Sequence, residues 1–105
     1  MWFVFPQIAG LGRSATAQFY AIRGRGEAET YGRHPVLGPR LRECAQALTA
    51  LPGNDPEAVL GGIDAIKVRS SMTLFAAVAP DEETFTEVLA QYFGGEADAA
   101  TIARL

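Results

Sequence analysis

The densest run of side chains able to hold or attack a polar ligand is Asp64-Ala-Ile-Lys67-Val-Arg69-Ser70-Ser71-Met-Thr73. On a helix Asp64 neighbours Lys67 three residues on, and Lys67 neighbours Ser71 four residues on. Such a row suits a sugar phosphate. Lys67 and Arg69 would meet the charge, while the hydroxyls of Ser70, Ser71 and Thr73 would meet ribose or phosphate oxygens. The same residues also read as a helix start, a local ion pair and a solvated face, and taken alone they favour this plainer reading.

Other stretches carry weaker chemistry. Gly10-Leu-Gly12-Arg13-Ser14 lacks the Lys-Ser/Thr ending of a phosphate loop and the full dinucleotide spacing. Amides opening a helix after Ser14, with Arg13 beside them, would still suit an anion. The alternative is a glycine turn feeding an ordinary cap. Trp2, Phe5 and Gln7 offer stacking rings and an amide for base edges, set against the commoner role of aromatic residues in a core. A carboxylate pair for glycoside hydrolysis needs a defined separation, and the spacing of the Asp and Glu residues selects no pair. His34, before Pro35, reads as a loop residue making a local hydrogen bond. Cys44 reads as a small core residue. With one histidine in the chain, a multi-histidine metal site is excluded, and neither a metal nor a cofactor is expected.

The composition bounds the protein class. The chain has 105 residues, of which 49% are hydrophobic and 20% charged, which excludes a disordered linker or acidic tail. A chain of this length buries roughly 60–65% of its unfolded surface, enough for one thin core and a single domain over residues 1–105. The net charge of -3 argues against general nucleic-acid binding, which draws its affinity from a basic surface. It leaves room for a small phosphate-bearing ligand. A lone cysteine excludes an intrachain disulfide and fits a cytoplasmic protein. No apolar run suggests a membrane span, and the apolar start lacks the basic flank of a signal peptide. Trp2 to Phe5 need a partner surface: the later helices, a preceding segment or a second copy.

The elements that must position these residues are mostly helical. Trp2 to Phe5 are β-prone and stop at Pro6. Ser14 suits the cap of a short helix over 15–22, and a second short helix is expected over 27–31 with Gly32 as its C-cap. Leu37, Leu41, Cys44, Ala45, Leu48 and Leu51 form one apolar stripe, with Gly38 as cap, Pro39 at the first position and Arg40, Arg42 and Glu43 on the solvated side. Asp55-Pro56 starts a short helix that ends at Gly61-Gly62. Asp64 suits the cap of a helix whose face is Ala65, Val68, Met72 and Phe75; the alternative is a strand over 72–78. Asp81, Glu82 and Glu83 open a helix with Phe85, Val88, Leu89, Tyr92 and Phe93 inward, ended by Gly94-Gly95. Asp98 caps a final turn. This is an all-α, compact, single-layered bundle of five to seven short helices with a short extended N-terminal segment.

The blocks Trp2-Phe-Val-Phe-Pro-Gln-Ile-Ala-Gly-Leu-Gly-Arg-Ser14, His34-Pro-Val-Leu-Gly-Pro-Arg-Leu-Arg-Glu-Cys44 and Asp64-Ala-Ile-Lys-Val-Arg-Ser-Ser-Met-Thr-Leu-Phe75, with the ending Tyr92-Phe-Gly-Gly, occur in an order that resembles the bacterial domain-of-unknown-function 1810 family. The resemblance runs over essentially the whole chain. It implies a YbiA-like, mostly helical fold, and members that begin a few dozen residues earlier, so that this chain lacks an N-terminal segment. Some YbiA-like relatives cleave N-glycosidic bonds in phosphoribosyl-pyrimidine or ADP-ribosylated compounds. The expectation for this chain is a domain binding a nucleotide, phosphoribosyl or other sugar-phosphate compound, with hydrolysis at an anomeric carbon. Asp64 is the first choice for the carboxylate that activates water. Arg13 and Lys67 are the phosphate ligands, and Trp2, Gln7, Ser70, Ser71 and Thr73 complete the site. The competing expectation is a non-enzymatic interaction or structural domain.

The stripe through Leu41, Cys44 and Leu48 is expected to pack against Phe85, Leu89 and Tyr92. Leu48→Ala should then lower the unfolding free energy by about 2–4 kcal/mol in a denaturant titration. A loss below about 1 kcal/mol would place Leu48 outside the core.

Overall fold

The computed structural model describes residues 5–8 and 21–105. Six helices follow one another among them: α1 (Arg25–Arg33), α2 (Leu37–Ala50), α3 (Pro56–Leu60), α4 (Gly62–Val78), α5 (Glu83–Phe93) and α6 (Ala99–Ala103). Helix α4 is the hub: α1, α3, α5 and α6 all pack on it, and α2 closes the bundle against α1 and α5. Ahead of α1, Ile8 and Ile22 form an isolated parallel bridge, and both join the core together with Phe5. The all-α bundle agrees with the sequence reading. Of the helix expected over 15–22, residues 15–20 lie, with Ser14, outside the described residues; Ala21 and Ile22 are described and are not helical, since Ile22 is held in the bridge to Ile8.

The central helix is buried on nearly every side. Ala65, Val68 and every residue from Ser70 to Phe75 are buried, so the apolar stripe expected from Ala65, Val68, Met72 and Phe75 is only one part of its covered surface. This explains why the pattern over 72–78 admitted a strand. A helix covered all round loses the 3.6-residue periodicity that distinguishes it from a buried strand. The structure settles 72–78 as helix.

The expected packing of α2 on α5 is present. Leu41 and Leu48 are buried opposite Phe85, Leu89 and Tyr92, with Cys44 half-buried beside them. The Tyr92 hydroxyl donates to the Leu48 carbonyl at 2.6 Å. Gln91 reaches the same turn, donating from Nε2 to the carbonyls of Leu51 and Gly53 at 3.0 Å each. These bonds give partners to carbonyls at the end of α2 and in the turn just beyond it. Leu51 itself is 44% exposed, because the chain has already left the helix there.

Several helix ends differ from the sequence expectation. α1 begins two residues before Glu27 and runs through Gly32, with His34 at its C-cap. α2 begins at Leu37, so Gly38 lies inside it. Its first amides are met by His34 instead, whose Nδ1 accepts from the N–H groups of Val36 and Leu37 at 3.1 Å each. Gly38 is required for a different reason: a Cβ there would collide with the Gly32 carbonyl oxygen, where α1 and α2 meet. α4 starts at Gly62, which places Asp64 within its first turn and not at its cap. Asp55 and Asp98 do cap α3 and α6, accepting from Glu57 and Ala58 N–H and from Thr101 N–H respectively.

Burial obliges the polar residues of α4 to find partners inside the protein. The Ser70 hydroxyl donates to the Ile66 carbonyl at 3.1 Å, and the Thr73 hydroxyl donates to the Arg69 carbonyl at 2.8 Å while accepting from the Asp98 N–H, also at 2.8 Å. Ser71 differs. It is fully buried, and its hydroxyl has no hydrogen-bond partner. Leaving such a group unpaired costs about 1–3 kcal/mol, so Ser71→Ala is expected to preserve stability or raise it by about 1 kcal/mol. Thr73→Val should cost about 1–2 kcal/mol, because it strands the Asp98 amide. Urea denaturation of both variants checks the contrast, and a clear loss of stability in Ser71→Ala would show that the hydroxyl has a partner in solution.

Candidate functional site

The residues of the expected site divide into three groups. Trp2 and Arg13 lie outside the described residues. Gln7 is buried, and its carbonyl accepts from the Ile22 N–H at 2.7 Å. The remainder lie on α4 and part company around its circumference. Lys67 Nζ stands 3.9 Å from an Asp64 carboxylate oxygen, both groups half-buried. Ser71 lies one turn beyond Lys67 but beneath the surface. The hydroxyls of Ser70 and Thr73 are engaged with the backbone, as described above. Arg69 turns toward the α5–α6 connection, donating from Nε to the Glu96 carbonyl at 3.1 Å and from Nη2 to the Ala97 carbonyl at 3.2 Å. Its Nη2 also approaches the Glu96 carboxylate at 3.4 Å. Of the polar row, Asp64 and Lys67 are thus the two whose charged groups meet each other, and Asp64 borders open space.

That space is a groove of about 360 Å³ bordered by Leu60, Gly61, Gly62, Ile63 and Asp64. The chain enters α4 through Gly61, whose φ of 83° is a conformation that side-chain-bearing residues rarely adopt. No side chain caps the helix start. The amides of its first turn have no carbonyl partner within the helix, and they lie at the positive end of its dipole. Asp64 sits in that first turn and Lys67 one turn further in. The groove is therefore bordered by the backbone of the helix start and by one carboxylate, and that carboxylate is paired with the Lys67 ammonium one turn further in.

A second polar constellation was not foreseen from the sequence. Arg42, expected on a solvated face, ties three elements together. Its Nε donates to the Glu82 carboxylate at 3.1 Å and its Nη2 to the Gly32 carbonyl at 3.1 Å. Thr84 donates to the other Glu82 oxygen at 2.8 Å. The Thr84 hydroxyl bond, followed by the Arg42 guanidinium, holds the Glu82 carboxyl below the usual carboxylate range. Nearby, burial pushes the Tyr31 phenol above its ordinary value, as its ring packs on Phe75 at 5.5 Å. No spacing rule links Arg42 to a glutamate forty residues on, so local pattern carries no signal for this clasp.

These features define an all-α domain wrapped around one buried helix, with its charged groups at the rim. Among the described residues no group of His, Cys, Asp and Glu is placed to hold a metal, and no helix is long and apolar enough to cross a membrane. Over residues 1–105 the chain matches the family described as protein of unknown function (DUF1810), and it belongs to that family. It is 44% identical to the conserved hypothetical protein Rv1873 from Mycobacterium tuberculosis, whose crystal structure superposes with a TM-score of 0.96. The match covers 99% of this chain and 74% of that one. No curated protein matches the chain.

Since the folded-state value of Glu82 is lowered, its contribution to stability is present above the usual carboxylate range and is lost as pH falls through the lowered value. Glu82→Gln should therefore lower stability at neutral pH and show a shallower loss on acidification. Thermal melts at a series of pH values check this, and parallel curves for the two proteins would remove Glu82 from the acid response.

Proposed function

We propose that this chain is a small-molecule-binding domain that takes a nucleotide or phosphoribosyl compound at the start of α4 and hydrolyses an N-glycosidic bond there. One observation supports the reading most. The longest described helix opens without a side-chain cap onto a groove that Asp64 borders, and Lys67 pairs with Asp64 one turn further in. Backbone amides at a helix start and a lysine are suited to a phosphate. Asp64 is suited to the general base. It would take a proton from a water molecule whose oxygen bonds to the anomeric carbon as the carbon–nitrogen bond breaks and its electron pair leaves on the base nitrogen. In this reading Arg13 adds charge for the phosphate, and Trp2 with Gln7 meets the base. Ser70 and Thr73, with their hydroxyls held inside the protein, support the row from beneath, and Ser71 continues it inward. The YbiA-like affinity and a cytoplasmic setting belong to the same proposal.

A second reading rests on a separate observation. Ile63 and Ile66, three residues apart on α4, are 73% and 66% exposed. Adjacent apolar side chains of this kind suit a non-enzymatic interaction face.

Ligand-observed NMR with ribose 5-phosphate, AMP and ADP-ribose at millimolar concentration separates the two. The ligand reading expects saturable binding that Lys67→Ala weakens about tenfold, the scale of one charge-assisted contact. Asp64→Asn should keep that binding and lose release of the free base. A folded protein that binds none of the three favours the interaction face instead.

A further inference from the structure

A recess of about 190 Å³ opens at the other end of the molecule, where α1 crosses the end of α4 and the start of α5. Its floor is aromatic. Phe75 and Phe85 are both buried, with ring centroids 5.8 Å apart and planes tilted by 41°. Val78 lines it as well. Four residues of α1 border the recess, two of them the small Ala28 and Gly32. The other two are charged: Glu29 and Arg33, one turn apart.

The charges narrow the ligand. Arg42 also borders the recess but is committed to Glu82 and to the Gly32 carbonyl. Glu29 and Arg33 make no ion pair with each other and no side-chain hydrogen bond to another described residue. That leaves one carboxylate and one guanidinium, roughly 5–6 Å apart at their Cβ atoms, beside an apolar hollow. A simple anion would be repelled by Glu29, and a simple cation by Arg33. An apolar neutral molecule would leave both charges without partners. A zwitterion with an apolar tail satisfies every part. Its carboxylate meets the arginine fork, its ammonium meets the glutamate, and its tail covers the aromatic floor. Size agrees, because a cavity of about 150 Å³ is enough for benzene. A tail of leucine, methionine or phenylalanine size therefore fits. We infer that this recess is a binding site for a free α-amino acid with a medium-sized apolar side chain. The site is separate from the groove at the start of α4 and does not depend on the function proposed there.

Titration of the isotope-labelled full chain with L-leucine, L-methionine and L-phenylalanine, followed by backbone amide shifts, tests the inference. Saturable shifts are expected at Gly32, Arg33 and Ala79, and not at Gly61 to Asp64. Leucinamide, which lacks the carboxylate, and 4-methylvalerate, which lacks the ammonium, should bind about tenfold more weakly or worse. Arg33→Ala and Glu29→Ala should each weaken L-leucine by a similar factor with an unchanged melting temperature, since both side chains reach solvent. The inference is overturned if none of the three amino acids gives saturable shifts at millimolar concentration. It is equally overturned if leucinamide and 4-methylvalerate bind as well as leucine, or if both variants bind leucine as the parent does.

Discussion

The structure depends on burying one helix almost completely. A thin-cored chain of this size has few ways to remove enough apolar surface from water. Here the solution is a seventeen-residue helix, α4, used as a common core against which four others pack. Of those helices α5 brings a full apolar stripe, through Phe85, Val88, Leu89 and Tyr92. The cost falls on the polar residues of α4. A hydroxyl on a helix covered from all sides has to bond to its own backbone or to a neighbour, or else remain unsatisfied. Ser70 takes the first course, Thr73 takes both, and Ser71 remains without a partner.

The rim of the bundle follows from the same constraint. Charged side chains cannot enter the core, so they tie its periphery together. Arg42 joins α2 to the end of α1 and to the residue before α5. Arg69 holds the connection between α5 and α6. Arg25 reaches the Ala77 carbonyl near the end of α4. Each guanidinium meets at least one backbone carbonyl that would otherwise rely on water. These partly exposed contacts add little stability individually and fix orientation more than they add energy.

Space for a ligand is left where the wrapping stops. At its first turn α4 emerges past Gly61 and Gly62, and the groove beside Asp64 forms there. At its last turn, Val78 and Ala79 meet the small residues of α1, and the recess above Phe75 and Phe85 forms. Between them Ile66 is exposed and a further hollow of about 350 Å³ borders Ala65, Ile66 and Arg69, whereas the stretch from Ser70 to Phe75 is covered by protein.

Much of this was legible in the sequence. The amphipathic stripes of α2 and α5 fixed those helices and their mutual packing. Asp55 and Asp98 marked the starts of α3 and α6, and Gly94, in the left-handed conformation, marked the end of α5. Asp64 and Lys67 also pair as their spacing requires, since a three-residue separation is a local property of a helix. Tertiary structure alone decided the rest. A helix buried all round carries no periodicity to show which of its polar residues face inward, so Ser70, Ser71 and Thr73 read as surface until their neighbours were in place. The replacement of Gly38 by His34 as the cap of α2, and the close approach that makes Gly38 necessary, depend on how α1 meets α2. The Arg42–Glu82 clasp and the recess above Phe75 and Phe85 join residues distant in the chain. Sequence spacing governs contacts within one helical turn, whereas contacts between elements are set by which faces the core buries.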